Sequence, residues 1–139
     1  MHRVLLDASV IIAACGNPKG GSALVLELAK VGYCRAYISA RIINEARVNI
    51  SQKMSDDALV RLYQYLADAP LVLVKADGRV SRPVKSAFPK KDFHVVEAAM
   101  KAKVEIVLTL DRKDFFNAKV KATKLPFRIM TQGMFLQSM

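Results

Sequence analysis

Runs of apolar residues, bounded by polar or turn-forming residues, divide the chain into short segments. Three of the runs are nearly continuous in Val, Ile and Leu, a pattern typical of strands that are buried on both faces of a parallel sheet. We predict five strands, which cover Arg3–Leu6, Ala36–Ser39, Leu71–Val74, Glu105–Leu110 and Phe127–Thr131.

Helical patterns lie between these strands. The first strand runs directly into a helix, and Ser55 is a candidate N-cap for a later one. The further predicted helices are Ser22–Val31, Arg41–Lys53, Asp56–Ala67, Asp92–Lys103 and a short helix after Thr131. Strands that alternate with helices predict an open α/β sheet with right-handed crossovers.

Two glycine- or proline-containing segments are predicted to be connections. Gly16–Gly21 follows a helix rather than a strand and lacks the Gly-Lys-Ser/Thr ending of a phosphate-binding loop, so we interpret it as a connector. Lys75–Lys91 contains Gly78, Pro83 and Pro89 and is rich in Lys and Arg. It is predicted to be a loop that either serves as a solvated connection or binds phosphates.

Length and patterning favour a single domain over residues 1–139. Residues 4–14 are apolar and resemble a short secretory signal, but Asp7 lies in their middle. A charge inside a membrane-inserting segment costs roughly 2.5–3.5 kcal/mol, so we expect a cytoplasmic protein that does not enter a membrane. Cys15 and Cys34 are then expected to be reduced, packed thiols.

The charge of the chain is strongly basic, with a formal net charge of +10. Residues 1–74 hold 8 basic and 6 acidic residues, whereas residues 75–139 hold 14 basic and 6 acidic residues. A basic surface attracts polyanions, so nucleic acid is a candidate partner.

Four acidic residues are predicted to lie at one edge of the sheet. Asp7 and Asp111 each follow an apolar strand, and the carboxyl ends of parallel strands are where α/β sheets bind ligands. Asp92 begins a helix that leads back into a strand, so it starts at the same edge. Glu45 lies a turn and a half into the helix after the second strand, beside that helix's apolar stripe.

Each acid has a structural alternative when it is considered alone. Asp92 could cap its helix, a contribution of roughly 1 kcal/mol, and Glu45 could pair with Arg41 four residues earlier. His94 is two residues from Asp92, on a different helical face, and is assigned to packing or to the surface rather than to a metal.

Taken together, the four carboxylates indicate a cation site. Carboxylates brought together repel one another unless a cation neutralises them, and hard oxygen ligands suit Mg²⁺ or Mn²⁺. A carboxylate-held metal site on a basic protein predicts hydrolysis of phosphodiester bonds.

These features resemble the PIN-domain family of small nucleases, which includes the VapC-like toxins of toxin–antitoxin pairs. The resemblance extends from Val4 to about Thr131, and Thr109–Phe115 is its most specific piece. The segments that carry it are Val4–Ser9, Ile42–Glu45, Lys91–Asp92, Val95–Ala99 and Val107–Asp111.

The resemblance implies a three-layer fold with a five-stranded parallel sheet in the order 3-2-1-4-5 and helices on both faces. It implies that Asp7, Glu45, Asp92 and Asp111 are the catalytic and metal-binding acids. Ser9 and Thr109 match supporting hydroxyl positions, although Ser9 stands where the family often has Asn or Thr. Asp114 is a possible outer acid, for which a helix N-cap is the more typical role. The candidate nucleic-acid-binding residues are Lys90, Lys91, Arg112 and Lys113.

By resemblance, the chain is expected to be a Mg²⁺- or Mn²⁺-dependent endoribonuclease, the toxin of a toxin–antitoxin pair, with RNA as substrate, an antitoxin as partner and a homodimeric assembly. An RNA-processing nuclease of the same fold and a catalytically silent module that binds nucleic acid or protein remain open. A phosphatase or receiver-type domain is disfavoured, because Ala8–Val10 holds no second acid close to Asp7.

Overall fold

Strands and helices alternate along the chain in the computed structural model, which describes all of residues 1–139. The strands are β1 His2–Leu6, β2 Cys34–Ser39, β3 Val72–Val74, β4 Ile106–Leu108 and β5 Arg128–Met130. The helices are α1 Ala8–Gly16, α2 Gly21–Lys30, α3 Ala40–Lys53, α4 Asp56–Asp68, α5 Arg82–Ala87, α6 Phe93–Ala102, α7 Arg112–Phe115, α8 Ala118–Ala122 and α9 Gln132–Gln137. All five predicted strands are confirmed, with ends that differ by no more than two residues.

The five strands form one parallel sheet in the order β3-β2-β1-β4-β5, so the predicted fold and strand order are confirmed. In the register of the two central strands, Leu6 of β1 lies beside Leu108 of β4. The residues that follow these two strands therefore leave the sheet at the same level.

The central strand is buried on both faces. Val4, Leu5 and Leu6 have no exposed surface. Because successive side chains of a strand point to opposite faces, helices must cover both sides of the sheet here. The helices pack in two groups, with α1, α2, α3, α4 and α9 in one and α5, α6 and α8 in the other.

Side-chain caps begin several of the helices, as the sequence indicates. The Ser55 hydroxyl accepts a hydrogen bond from the amide of Ala58 at 3.3 Å, which confirms the predicted N-cap of α4. Ser39 caps α3 and Thr131 caps α9 in the same way. No helix combines the length and the apolar character that crossing a membrane would require.

The prediction of one loop over Lys75–Lys91 is wrong, because α5 lies inside it. Pro83 stands in the first turn of α5, where its missing N–H removes no helical hydrogen bond. Val84 and Ala87 are buried, and this packing stabilises a helix that is too short to be recognised by periodicity.

Candidate metal centre

The carboxylate of Asp7 is fixed by two hydroxyl groups at the carboxyl ends of β1 and β4. Its Oδ2 atom accepts hydrogen bonds from the hydroxyls of Thr109 at 2.8 Å and Ser9 at 3.0 Å. Each hydroxyl in turn accepts a backbone N–H, Thr109 from Asp111 at 3.1 Å and Ser9 from Leu110 at 3.0 Å. Asp7 is 7% exposed, so its orientation is set by this network rather than by solvent.

Three further carboxylates form a cluster at the same edge. One oxygen from each of Asp92, Asp111 and Asp114 lies within 4.8 Å of the others, and we call this set the carboxylate cluster. Asp92 is buried and makes no capping hydrogen bond, so the capping alternative for it is not observed. Asp111, and not Asp114, is the N-cap of α7, because its Oδ1 accepts the amide of Asp114 at 3.1 Å.

The expectation that Asp114 caps a helix is therefore wrong. A cap residue precedes the first turn, whereas Asp114 lies within that turn. Its side chain is left free to join the cluster, where it extends the predicted acidic set.

The ammonium group of Lys91 lies among the three cluster carboxylates. Its Nζ is 2.7 Å from Asp114, 3.2 Å from Asp92 and 3.8 Å from Asp111. The hydrogen bond from Lys91 lowers the pKa of Asp114, and the same bond raises the pKa of Lys91. Lys91 was predicted as a nucleic-acid-binding residue, and in the structure its ammonium contacts the carboxylates.

Burial raises the pKa of Asp92 to about 6. Lys91 opposes this shift through its hydrogen bond and charge, whereas the carboxylates of Asp7 and Asp114 add to it by repulsion. Asp7 is therefore close enough to influence the carboxylate cluster, although it is not one of its three members.

Glu45 lies outside the carboxylate cluster, on α3, and its side chain is 44% exposed. Its Oε1 is 2.8 Å from Nε2 of His94 and 3.9 Å from Nε of Arg41. The pair with Arg41 is the structural alternative that the sequence had left open. At this distance the Glu45 carboxylate contacts the buried ring of His94, and the two form an ion pair when the imidazole is protonated.

His94 is fully buried, and burial lowers its pKa. The packing role assigned to it is confirmed, but its contact with Glu45 was missed. The two residues lie on α6 and α3, far apart in the chain, so only the packing of these helices could reveal the contact. The charge of Asp7 also acts on His94, which connects Glu45 with the rest of the site.

Three basic side chains that pair with no acidic group lie close to the carboxylate cluster in the sequence. Lys90, Arg112 and Lys113 are exposed, and none lies within 4 Å of an acidic group. Lys90 precedes Lys91, and the other two lie between Asp111 and Asp114. Their charges are available to a polyanion, whereas that of Lys91 is already paired.

The donor set of the cluster fits a divalent cation of the Mg²⁺ or Mn²⁺ type. It consists of carboxylate oxygens alone, the hard ligands that these ions prefer. The ammonium of Lys91 between these oxygens shows that the arrangement attracts positive charge. Asp92, Asp111 and Asp114 could hold the ion, with Asp7 beside them.

In a comparison with known families, the model of the PIN domain matches residues 3–113. No curated protein matches the chain in sequence. Among solved structures, VapBC2 from Rickettsia felis, bound to a DNA fragment from its promoter, superposes with a TM-score of 0.62 and 13% identity over 93% of this chain and 98% of that chain.

Two other solved structures are similar. VapC20 of Mycobacterium tuberculosis, described as a toxin that cleaves the sarcin–ricin loop, gives a TM-score of 0.53 and 13% identity over 79% of this chain and 91% of that chain. FitAcB from Neisseria gonorrhoeae gives a TM-score of 0.54 and 16% identity over 94% and 98% of the two chains. At these identities the likeness shows a shared fold.

Proposed function

The chain belongs to the PIN domain family, and from this premise we propose that it is a metal-dependent endoribonuclease that acts as the toxin of a toxin–antitoxin pair. The observation that carries the proposal is the carboxylate cluster, which lies beside the hydroxyl-bound Asp7 and unpaired basic side chains. The match over residues 3–113 includes the predicted quartet of Asp7, Glu45, Asp92 and Asp111.

We assign Mg²⁺ or Mn²⁺ to the oxygens of Asp92, Asp111 and Asp114, with Asp7 adjacent. Such an ion supplies the positive charge that activates a water molecule and stabilises the leaving oxygen of a phosphodiester. Thr109 and Ser9 hold the Asp7 carboxylate in one orientation through the two hydrogen bonds to its Oδ2 atom. Glu45 completes the acidic set from α3, with its carboxylate beside the buried ring of His94.

The unpaired basic side chains would bind the RNA backbone. Lys90, Arg112 and Lys113 present donors and positive charge to phosphates on either side of the scissile bond. Since they are not paired with acids, binding RNA breaks no ion pair of the free protein.

Similar structures support the proposed substrate class and the proposed partner. The M. tuberculosis protein is described as a toxin that cleaves the sarcin–ricin loop, which supports RNA as the substrate class. The R. felis structure contains VapBC2, which supports a bound antitoxin as partner. We further propose a single domain over residues 1–139 and a cytoplasmic homodimer, as the resemblance to PIN toxins implies.

The proposal is tested by incubating purified protein with structured and single-stranded RNA in Mn²⁺ or Mg²⁺. We expect cleavage that EDTA abolishes and that Asp7→Asn reduces by at least roughly a hundredfold, because the variant loses an acid held beside the carboxylate cluster. Asp68→Asn, at an exposed acid at the end of α4, is the matched control and should cleave like the wild type.

Other outcomes separate the alternatives. Cleavage that survives both EDTA and Asp7→Asn would contradict the proposal. A protein that binds RNA but neither cleaves it nor takes up metal would favour the silent binding module. A toxin should arrest growth when it is overexpressed, with relief by Asp111→Asn, whereas a processing nuclease should be tolerated.

A further inference from the structure

Lys91 is the one basic residue with a nitrogen within 4 Å of the carboxylate cluster. Its side chain is 64% exposed, so the ammonium reaches the carboxylates from the solvent side. The residue lies in the 3-10 turn Lys90–Asp92, directly before Asp92, and its four-carbon stem is flexible. The ammonium could therefore leave the cluster without any movement of the backbone.

The contacts of Lys91 coincide with those that a metal ion would need. Its ammonium lies at hydrogen-bond distance from Oδ2 of Asp92 and Oδ2 of Asp114. Mg²⁺ binds carboxylate oxygens at about 2.0–2.1 Å, so an ion held by these oxygens would lie almost against the ammonium. Two positive charges at that separation repel each other strongly, so binding of both at the same oxygens is unfavourable.

We propose that the Lys91 ammonium is the resident cation of the metal-free site, and that it competes with the divalent ion for Asp92, Asp111 and Asp114. In the metal-free protein its single positive charge offsets part of the repulsion among the three carboxylates. When the ion binds, Lys91 moves outward, where its charge becomes available to a phosphate. The inference rests on the proposed function only in assigning a divalent ion to this cluster.

Competition of this kind lowers the affinity for metal, because the ion pairs of Lys91 must be broken before the ion binds. Lys91→Met keeps the length of the stem and removes the charge. Lys113→Met is the matched control: Lys113 acts on Asp114 only by its charge from a distance, and it touches no cluster carboxylate. The control therefore measures the general effect of removing one nearby positive charge.

The test is a titration of the metal-free wild type and of both variants with Mn²⁺. The electron paramagnetic resonance signal of the free ion reports how much Mn²⁺ remains unbound at each step. We expect Lys91→Met to bind Mn²⁺ roughly two- to fivefold more tightly than Lys113→Met, within the range for breaking partly exposed ion pairs. In EDTA, Lys91→Met should unfold at a lower temperature than Lys113→Met, because the repulsion among its three carboxylates is no longer offset by the ammonium. Equal or weaker Mn²⁺ binding by Lys91→Met would overturn the inference.

A second measurement follows Lys91 in the wild-type protein. The ¹⁵N resonance of its ammonium should report a hydrogen-bonded group in EDTA and a mobile one at saturating Mg²⁺. A signal unchanged by Mg²⁺ would overturn the inference, as would the absence of any Mn²⁺ uptake. No RNA is used, so a protein that binds Mn²⁺ but cuts no RNA would count against the proposed nuclease and not against this competition.

Discussion

Two hydroxyl groups determine how a carboxylate is presented at the edge of the sheet. Ser9 and Thr109 each donate to Asp7 and each accept a backbone N–H from the segment that follows β4. Thr109 has no exposed surface, so water cannot replace its hydrogen bonds. The sequence predicted both hydroxyls through family resemblance. That each one both donates to Asp7 and accepts a backbone N–H depends on the adjacent ends of β1 and β4.

Other contacts of the site could not be predicted from the chain. Lys91 and Asp114 are 23 residues apart, and His94 meets Glu45 across two helices. Periodicity indicates which face of an element is buried, but it does not indicate which side chains of different elements meet. Asp7 and Asp111 were predictable because each follows a buried strand, and that position alone places them at one edge.

The raised pKa of Asp92 makes metal binding depend on pH. Burial moves this pKa from its ordinary value of 3.8 to about 6, so between these values the folded protein holds a proton that the unfolded chain has lost. Stability of the metal-free protein therefore falls as pH rises through this window, when the buried carboxyl becomes charged. A divalent ion needs the charged form, so it must displace this proton at low pH.

We predict that Mn²⁺ affinity is highest above pH 7 and falls as pH drops below 6, by up to about tenfold per pH unit for one linked proton. Calorimetric titration at pH 7.5, 6 and 5, in buffers of different ionisation enthalpy, would measure both the affinity and the protons released. Asp92→Asn should bind Mn²⁺ weakly and release fewer protons near pH 6. The same affinity at pH 5 and pH 7.5 would be incompatible with a protonated Asp92.

At the scale of elements, all five strands were predicted from the sequence, but three short helices were missed. β1 and β4 were recognised because they are buried on both faces and therefore almost wholly apolar. The helices α5, α7 and α8 have 6, 4 and 5 residues, which is too short for a 3.6-residue period to be read. Side-chain caps begin α7 and α8, Pro83 lies in the first turn of α5, and one or two buried apolar side chains pack each of the three helices into the fold.

The segment before α5 is held by a buried carboxylate on α6. Glu97 is 4% exposed and accepts backbone N–H groups from Asp77 at 2.6 Å, Gly78 at 3.3 Å and Arg79 at 2.7 Å. Gly78 has a φ of +90°, a conformation that favours glycine and lets three successive amides converge on one carboxylate. Glu97 therefore anchors the loop that leads towards Lys91 and Asp92.

Glu97→Ala should lower the free energy of unfolding by about 2–3 kcal/mol, because it leaves these amides without their charged acceptor. Urea denaturation would measure the loss, and hydrogen exchange should accelerate most at the amides of Asp77 and Arg79. Glu105→Ala is a useful comparison, since Glu105 is 41% exposed and its pairs with His2 and Arg3 should contribute less. Equal losses in the two variants would show that Glu97 is not a special anchor.

At the scale of the whole molecule, the sheet order brings together acids that are distant in the chain. The order β3-β2-β1-β4-β5 makes β1 and β4 neighbours, so Asp7 meets the segment after Leu108. Hydrophobic patterning identified the strands, but it does not specify which strands are adjacent, and that order came from the family resemblance. The excess of basic residues in 75–139 then lies in the same half of the chain as the carboxylate cluster.

This distribution of charge predicts where RNA binds. Lys113, beside the cluster, and Lys53, at the end of α3, are both exposed and form no ion pair. α3 begins at the site edge and has 14 residues, so Lys53 lies about 20 Å along the helix from its start. Substituting either residue by Glu changes the net charge equally, and any difference in RNA binding must then come from position.

We predict that Lys113→Glu weakens RNA binding at least roughly tenfold more than Lys53→Glu, when both are combined with Asp111→Asn to prevent cleavage. Affinity should fall with added salt in all proteins, with a shallower slope for Lys113→Glu because it neutralises fewer phosphates. Fluorescence anisotropy of labelled RNA would measure the affinity and its salt dependence. A range of about 50 to 200 mM salt is wide enough to distinguish the slopes. Equal losses in the two variants would mean that net charge, and not a phosphate-binding surface beside the carboxylates, governs the encounter with RNA.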